Sequence, residues 1–150
     1  MSLKEYKAKR NFAKTKEPSG KILKRASDLI YVIHKHAATH LHYDLRLEWK
    51  GVLMSWAVPK QPSKTGLKRL AVRVEDHPVE YAKFEGEIPA GEYGAGNVEI
   101  WDRGTWSPES FGKDKIVFDL RGEKMVGRFV LIKLENSDKN WLFFKLKSAA

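Results

Sequence analysis

The sequence predicts an all-β protein: a single-domain antiparallel β-barrel of about eight strands, preceded by a basic N-terminal arm. Short apolar or alternating segments recur along the chain, and glycine-rich or polar turns separate them. No segment shows the 3.6-residue apolar period of an amphipathic helix. The 150 residues are enough for one domain with its own core. A barrel is favoured because closure removes exposed strand edges.

The first expected element is the arm, residues 1–25, followed by the barrel domain at 26–150. Residues 1–25 hold nine Lys or Arg and two Glu, so their net charge of +7 leaves +2 of the chain's +9 for the remainder. Such a segment is either a solvated tail or a contact to nucleic acid, because each Lys or Arg that neutralises a phosphate releases counterions. Charge alone leaves both interpretations open.

The expected strands follow the arm in order. The first is the β-branched run 29–33, the second alternates over 41–49, the third is the run 52–58 and the fourth alternates over 70–74. The last four are NVEIWDRG, KIVFDL, GRFVLIKL and NWLFFKL, with hairpin turns at RGEK and NSDK. The segment EGEIPAGEYGAG is expected to be a turn. It lacks a third fingerprint glycine and a following helix, so it does not predict a nucleotide site.

Several classes of protein are excluded or disfavoured by composition. The chain has no cysteine, which rules out disulfides and thiolate zinc sites. No apolar run approaches the roughly 18 residues of a membrane span, and the N-terminal residues lack the apolar core of a signal peptide. We therefore expect a cytoplasmic protein with no membrane partner.

The second strand carries a polar row on one face. Its odd positions are Leu, Tyr, Leu, Leu and Trp, whereas its even positions are His42, Asp44, Arg46 and Glu48. Successive strand residues point to opposite faces, so the odd face can pack into a core while the even residues stand about 7 Å apart. A helical alternative would pair His36 with His40, but it would bury Asp44 and Arg46 among leucines.

Histidine is an uncommon choice for a solvated strand face. His34 and His36 share the parity of the row if the intervening AAT segment does not reset it. A His-x-Asp pair on one face offers a neutral nitrogen and a hard oxygen, which suit Mn, Fe or Zn, and a third histidine would complete three ligands. The opposing interpretation is an ordinary polar sheet surface.

A second polar face is expected on the strand before His77. Arg69, Arg73 and Glu75 share the parity of His77, and Pro78 ends that strand. An isolated histidine at such a place is more often a turn or cap residue than a catalyst.

Three long segments carry a resemblance to a known family. They read YKAKRNFAKTKEPSG, VIHKHAATHLHYDLRLEWKGVLMSWAVPKQPS and RLAVRVEDHPVEYAKFEGEIPAGEYGAGNVEIWDRGTW. Together they resemble the 3′-phosphoesterase domain of bacterial DNA ligase D, from Tyr6 to the last strands. No ligase or polymerase module accompanies them, which implies the free-standing form of the family. The resemblance implies a β-barrel enzyme that uses Mn²⁺, or another divalent metal such as Co²⁺ or Zn²⁺. It also implies removal of a 3′-terminal ribonucleoside and then of the 3′-phosphate, leaving a 3′-hydroxyl for end joining.

The same resemblance assigns residues one by one. It implies metal ligands at His36, His42 and Asp44, phosphate contacts at Arg46, His77 and Tyr81, further catalytic positions at Arg69 and Glu75, and substrate-binding positions at Lys60, Arg10 and Glu17. Two positions depart from the family pattern. Asn11 stands where the family commonly has Asp, which weakens the case that the arm orients a site residue. His34 stands where the family often has Gln, which adds an imidazole near the metal.

The implied partners are DNA primer-template 3′ ends, including ribonucleotide-terminated ends, and a DNA ligase, polymerase or end-binding protein of an end-joining pathway at the prokaryotic nucleoid. Two other function classes stay open. A non-haem iron oxygenase would use His42, Asp44 and His77 as its two-His-one-carboxylate triad. A non-catalytic barrel would bind nucleic acid through the arm and the five tryptophans.

Overall fold

The computed structural model describes residues 29–92 and 95–147, whose strands close into a ring. The strands are β1 Leu29–Ala37, β2 Leu41–Trp49, β3 Val52–Val58, β4 Arg69–Pro78, β5 Gly86–Ile88, β6 Gly96–Phe111, β7 Lys115–Gly122, β8 Val126–Lys133 and β9 Asn140–Lys145. Eight of them form an antiparallel barrel in the order β1-β2-β3-β4-β9-β8-β7-β6, and β6 pairs with β1 to close it. β5 lies outside the ring on the first residues of β6.

The predicted all-β barrel is therefore confirmed, with one strand more than expected. β2 and β3 have the predicted bounds, and RGEK and NSDK overlap the β7–β8 and β8–β9 connections. β5 was not predicted, because three residues inside a glycine-rich loop show no period. The predicted arm at 1–25, its boundary with the domain, and Arg10 and Glu17 all lie outside the described residues.

The inside of the barrel is a packed apolar core. Most odd residues of β2 point inward as expected: Leu45 and Leu47 are fully buried, and Tyr43 and Trp49 pack with them, whereas Leu41 at the start of the strand is 48% exposed. The inward residues meet aromatic side chains from several strands, and Trp56, Trp106 and Phe118 are at most 1% exposed. Since side chains fill the interior, polar residues of the same strands must point outward.

A segment folded over the outer surface hides part of that polar face. This roof (79–88) consists of a 3₁₀ helix, Val79–Lys83, and the chain through β5. Its residues Tyr81, Phe84 and Ile88 form a second apolar cluster with Val32 of β1 and Leu53 of β3. Outward-facing residues beneath the roof are consequently buried as deeply as the core.

β4 contains a bulge, and because of it the four polar residues predicted to share one face of this strand do not do so. Leu53 pairs with His77 and Ser55 pairs with Val74. A step of two residues along β3 therefore matches a step of three residues along β4, which has one extra residue. The extra residue reverses the parity of the strand. Arg73 therefore lies over the inward-facing Trp56 ring, with 4.8 Å from its Cζ to the ring centroid. The prediction that Arg69, Arg73, Glu75 and His77 share one polar face was wrong, because it assumed unbroken alternation.

None of the helical structure in residues 29–92 and 95–147 has the length and apolarity that a membrane-spanning helix requires.

Candidate active site

The β1–β2 register builds the candidate site. His36 stands directly opposite His42, and His34 stands opposite Asp44. The connection between the two strands is residues 38–40, which overlap the AAT segment, and it preserves the parity predicted for both histidines. Residues 36 and 40 do not share a helix, so the helical alternative was wrong.

His36, His42 and Asp44 converge on one point. One ligand atom from each can be chosen so that all three lie within 4.8 Å of one another. Oδ2 of Asp44 lies 3.3 Å from Nε2 of His42 and 3.6 Å from Nδ1 of His36. Nδ1 of His42 lies 3.1 Å from the carbonyl oxygen of His40, an arrangement that favours a proton on Nδ1 and a free lone pair on Nε2.

This donor set fits a divalent transition metal. Two neutral imidazoles and one carboxylate are ligands that Mn²⁺, Fe²⁺ and Zn²⁺ accept, and three protein ligands leave coordination positions for substrate. The contact between His42 and a backbone carbonyl is the kind of outer support that orients histidine ligands. The chemistry of the three residues and their convergence thus agree with a metal centre.

Arg46 makes polar contacts to several side chains of the site and is only 3% exposed. Its Nε donates a 3.0 Å hydrogen bond to Nδ1 of His34, and its Nη1 donates a 2.8 Å hydrogen bond to Oγ of Ser55. Nη1 also lies 3.1 Å from Nδ1 of His77, and Nη2 lies 3.4 Å from Oδ2 of Asp44. These contacts fix the guanidinium plane and leave the Nη2 edge as its least engaged part.

His34 supports this arginine and lies outside the convergent ligand group. Burial and the positive charge of Arg46 lower the pKa of His34 to about 3, so its imidazole stays neutral and can accept from Nε. The extra imidazole at position 34 thus contacts Arg46.

The charges of the candidate ligand group His36, His42 and Asp44 are coupled. Burial acts to raise the pKa of Asp44, but Arg46 and hydrogen bonds from His36 and His42 outweigh burial and hold it well below its usual range. Burial acts to lower the pKa of His42, yet the neighbouring Asp44 carboxylate outweighs that effect and raises it. Asp44 is therefore ionised at neutral pH, as a ligand must be.

β4 and the roof supply the opposite wall. Nδ1 of His77 lies 3.0 Å from the carbonyl oxygen of Glu75, and both side chains are buried. The Tyr81 ring lies 4.9 Å from the His77 ring and 4.8 Å from Cζ of Arg46. A cation over an aromatic face is attracted by the ring quadrupole, so Tyr81 helps to hold Arg46 in place.

These residues enclose one pocket of about 260 Å³. It is lined by His36, Ala38, His42, Asp44, Arg46, Ala57, Val74, Glu75, His77, Tyr81 and Ile88. Seven of the predicted site residues are thereby brought together from three strands and the roof.

Two further predicted residues lie outside the lining. Lys60 is exposed on the β3–β4 loop, and Arg69 donates its Nε to the carbonyl oxygen of Gln61 at 2.8 Å. Their roles stay predictions.

The triad of the oxygenase alternative is not favoured, because the convergent ligands in the described chain include His36 instead of His77.

Ser55 was missed by the sequence reasoning. Its Oγ accepts from Arg46 and donates to the carbonyl oxygen of Leu53 at 3.1 Å. The available signal was its place as the only polar residue in the run 52–58. Glu48, the last of the polar row, accepts from the backbone nitrogen of Ile30 at 2.9 Å and serves the β1–β2 pairing.

Comparison with known proteins decides the family. The family model of the DNA Ligase D 3′-phosphoesterase domain matches residues 34–133, which contain every described residue of the pocket. The chain belongs to this family. The resemblance stated from sequence is confirmed.

Curated relatives agree with the assignment. A multifunctional non-homologous end joining protein LigD of Pseudomonas aeruginosa is 50% identical to this chain. The match covers 97% of this chain and 18% of the length of the relative. The Mycolicibacterium smegmatis protein of the same name is 46% identical over 97% of this chain and 20% of its own length. A LigD DNA repair protein of Mycobacterium tuberculosis gives the same three figures. The chain therefore spans about a fifth of these relatives.

Proposed function

We propose that the chain is a metal-dependent DNA 3′-end-healing phosphoesterase. It removes a 3′-terminal ribonucleoside, then the remaining 3′-phosphate, and leaves a 3′-hydroxyl for repair by end joining. The observation that carries the proposal is the pocket in which His36, His42 and Asp44 converge beside a buried arginine. Membership of the phosphoesterase family supports the same reaction class.

His36, His42 and Asp44 would hold the metal, with Mn²⁺ as first choice and Co²⁺ or Zn²⁺ as alternatives. When bound, the ion would act as a Lewis acid toward a phosphoryl oxygen. The protein contributes the position of the ligands: two lie opposite each other on paired strands, and the third lies two residues along the same strand face.

Arg46 is suited to bind the scissile phosphate. Its contacts with His34, Ser55 and His77 occupy Nε and Nη1, so Nη2, which lies 3.4 Å from Oδ2 of Asp44, is the edge proposed to reach a phosphoryl oxygen. Because a guanidinium is not deprotonated in proteins, this positive charge persists throughout the reaction. Its fixed plane requires little reorganisation as charge develops on the phosphate.

His77 and Tyr81 complete the phosphate-binding wall. His77 lines the pocket on the side opposite the ligand group, where an imidazolium would stabilise the leaving oxygen or donate a proton to it. Tyr81 keeps Arg46 in register through its ring. Glu75, which also lines the pocket, is proposed as a catalytic position, as is Arg69.

One pocket can serve both steps. The first step hydrolyses the bond from phosphorus to the 5′-oxygen of the terminal nucleoside, and the second hydrolyses the bond from the same phosphorus to the 3′-oxygen of the primer. Both substrates thus present one phosphorus at the same distance from the primer. Lys60 near the pocket, and Arg10 and Glu17 outside the described residues, are proposed to bind the adjoining substrate.

The proposed substrates are primer-template 3′ ends, and the proposed partners are a ligase, a polymerase or an end-binding protein of an end-joining pathway. These partners follow from the relatives, which are named for non-homologous end joining. A prokaryotic nucleoid location goes with the same proposal.

The test uses the full chain and two duplex primers, one with a 3′-phosphate and one with a single 3′-ribonucleotide. We expect Mn²⁺ to convert both to 3′-hydroxyl primers, and chelator to stop the reaction. Matched preparations of the Asp44→Ala protein control for contaminating phosphatases. Absence of conversion by the unmodified chain with Mn²⁺, Co²⁺ and Zn²⁺ would reject the proposal and leave a barrel that only binds nucleic acid.

A further inference from the structure

The β3–β4 loop is strongly basic. Residues 59–69 contain Lys60, Lys64, Lys68 and Arg69 and no acidic residue. The three lysines are exposed. Lys145 and Lys147 continue the charge at the end of β9, where residues 144–147 again include no acid. We call these two segments the basic rim (59–69 and 144–147).

The rim is an ordered surface. Oγ of Ser63 accepts hydrogen bonds from the backbone nitrogens of Thr65 and Leu67, at 3.1 and 3.2 Å. Gly66 has φ +104°, and a Cβ there would lie 3.3 Å from the carbonyl oxygen of Lys145, so the loop packs closely on β9. Lys68 Nζ lies 5.3 Å from the Phe144 ring centroid. Charges held on an ordered loop lose less conformational entropy when they bind a partner.

The rim begins at the edge of the pocket. Ala57 of β3 lines the pocket and pairs with Asp44. The loop leaves the strand two residues later, so Lys60 stands about 10 Å along the chain from Ala57 at 3.3 Å per residue. Phosphates of a duplex recur about every 3.4 Å of helix axis on each strand. The first few phosphates inward from a 3′ end in the pocket would therefore come within reach of the rim.

The opposite side of the pocket has the opposite charge. Ile88 lines the pocket there, and the surrounding residues 84–92 contain Glu85, Glu87 and Glu92 but no Lys or Arg. This acidic lip (84–92) would repel a phosphate backbone. Together the two sides define one favourable direction for DNA to leave the pocket.

We infer that the basic rim binds the sugar-phosphate backbone of the DNA duplex whose 3′ end occupies the pocket, and that the duplex leaves the site across the β3–β4 loop and the end of β9. The inference rests on the proposed function, because it assumes that the pocket holds a DNA 3′ end. It adds a binding surface that the chemistry at the phosphorus does not require. Lys64, Lys68 and Lys147 would each neutralise a phosphate.

The test compares two triple variants of the full chain with equal loss of charge. The rim variant is Lys64→Gln/Lys68→Gln/Lys147→Gln. The control variant is Lys113→Gln/Lys115→Gln/Lys139→Gln, three exposed lysines at the other end of the barrel: one in the β6–β7 turn, one at the start of β7 and one just before β9. Binding of a 3′-hydroxyl duplex is measured by fluorescence anisotropy in chelator over a range of salt concentrations. Turnover of a dinucleotide 3′-phosphate is measured with Mn²⁺.

We expect the slope of log affinity against log salt to become shallower by about 2 to 3 in the rim variant, because each phosphate contact contributes roughly 0.9. The control variant should keep the slope of the unmodified chain, and all three proteins should cleave the dinucleotide at the same rate. Equal slopes for the rim and control variants would overturn the inference and assign the rim to a partner other than DNA. Failure of the unmodified chain to convert the two duplex primers would instead reject the proposed function, and the binding slopes stay a separate result because they are measured without catalysis.

Discussion

Replacing Arg46 by lysine tests the phosphate-binding role most directly, because the charge is kept while the planar fork is lost. In the protein, Nε and Nη1 make hydrogen bonds of 3.0 and 2.8 Å to His34 and Ser55, and Nη2, 3.4 Å from Oδ2 of Asp44, is the proposed phosphate contact. One ammonium cannot satisfy both neighbours and still reach a phosphoryl oxygen. We expect kcat/KM for 3′-phosphate removal to fall at least about tenfold, or roughly 1.4 kcal/mol of transition-state stabilisation.

The same substitution should also reduce stability. A buried acceptor left without its donor costs about 1 to 3 kcal/mol, and either His34 or Ser55 would be left so. Affinity for Mn²⁺ should change little, since the three proposed ligands remain. The matched control is Arg121→Lys, an exposed arginine whose guanidinium likewise contacts several side chains, those of Thr105, Ser107 and Asp119.

The assays are steady-state hydrolysis at saturating Mn²⁺, calorimetric titration of Mn²⁺ and thermal unfolding, each on both variants. A rate for Arg46→Lys within twofold of the unmodified chain would refute the fork argument. A large loss of Mn²⁺ affinity would instead mean that Arg46 acts mainly by holding Asp44, from which Nη2 lies 3.4 Å.

Four other outcomes are expected. His42→Ala and Asp44→Ala should each abolish both activities, measured on the two primers, whereas His40→Ala, which changes an exposed side chain, should not. His77→Ala should keep Mn²⁺ binding by calorimetry and lose turnover. His34→Gln should preserve the rate because an amide oxygen can accept from Arg46 Nε, whereas His34→Ala should lower it severalfold with metal affinity unchanged. Because the pKa of His42 is raised and the metal needs its neutral form, apparent Mn²⁺ affinity should fall as pH drops through that pKa, by about tenfold per pH unit for each proton displaced.

Each of these four predictions has a result that would contradict it. Near-normal turnover of the Asp44 or His42 variant at saturating Mn²⁺ would reject the ligand set. Loss of metal from the His77 variant would make that imidazole a ligand and revive the oxygenase triad. Equal rates for both His34 variants would remove its role in positioning Arg46. Mn²⁺ affinity independent of pH below neutrality would show that His42 does not bind the ion.

The sequence predicted the half of the site that depends on uninterrupted alternation. Along β2, period-two spacing is a local property of the backbone, so the outward placement of His42, Asp44 and Arg46 could be read from position numbers alone. A tight β1–β2 connection then brings His36 opposite His42. These inferences needed no knowledge of distant contacts.

The other half depends on tertiary structure. The bulge in β4 arises from pairing with β3, and nothing within residues 69–78 marks the extra residue, so the direction of Arg73 was predicted wrongly. The roof has no period of its own because its 3₁₀ helix and β5 are too short. The partnership of Ser55 with Arg46 needs the register of two strands, which sequence spacing does not contain.

The bulge in β4 determines which side chains on either side of it face outward. Deleting one residue at position 75 or 76 would restore regular pairing with β3, and the backbone hydrogen bonds of the strand would lose little. Val74 and His77 would both keep their outward direction, because His77 already pairs with the outward-facing Leu53. Glu75 of the pocket, however, would either be deleted or stand opposite the inward-facing Met54. A one-residue deletion could thus remove a group from the pocket while the fold persists. In a sequence alignment of family members, a gap misplaced across positions 75 and 76 would therefore align residues that face opposite sides of the sheet.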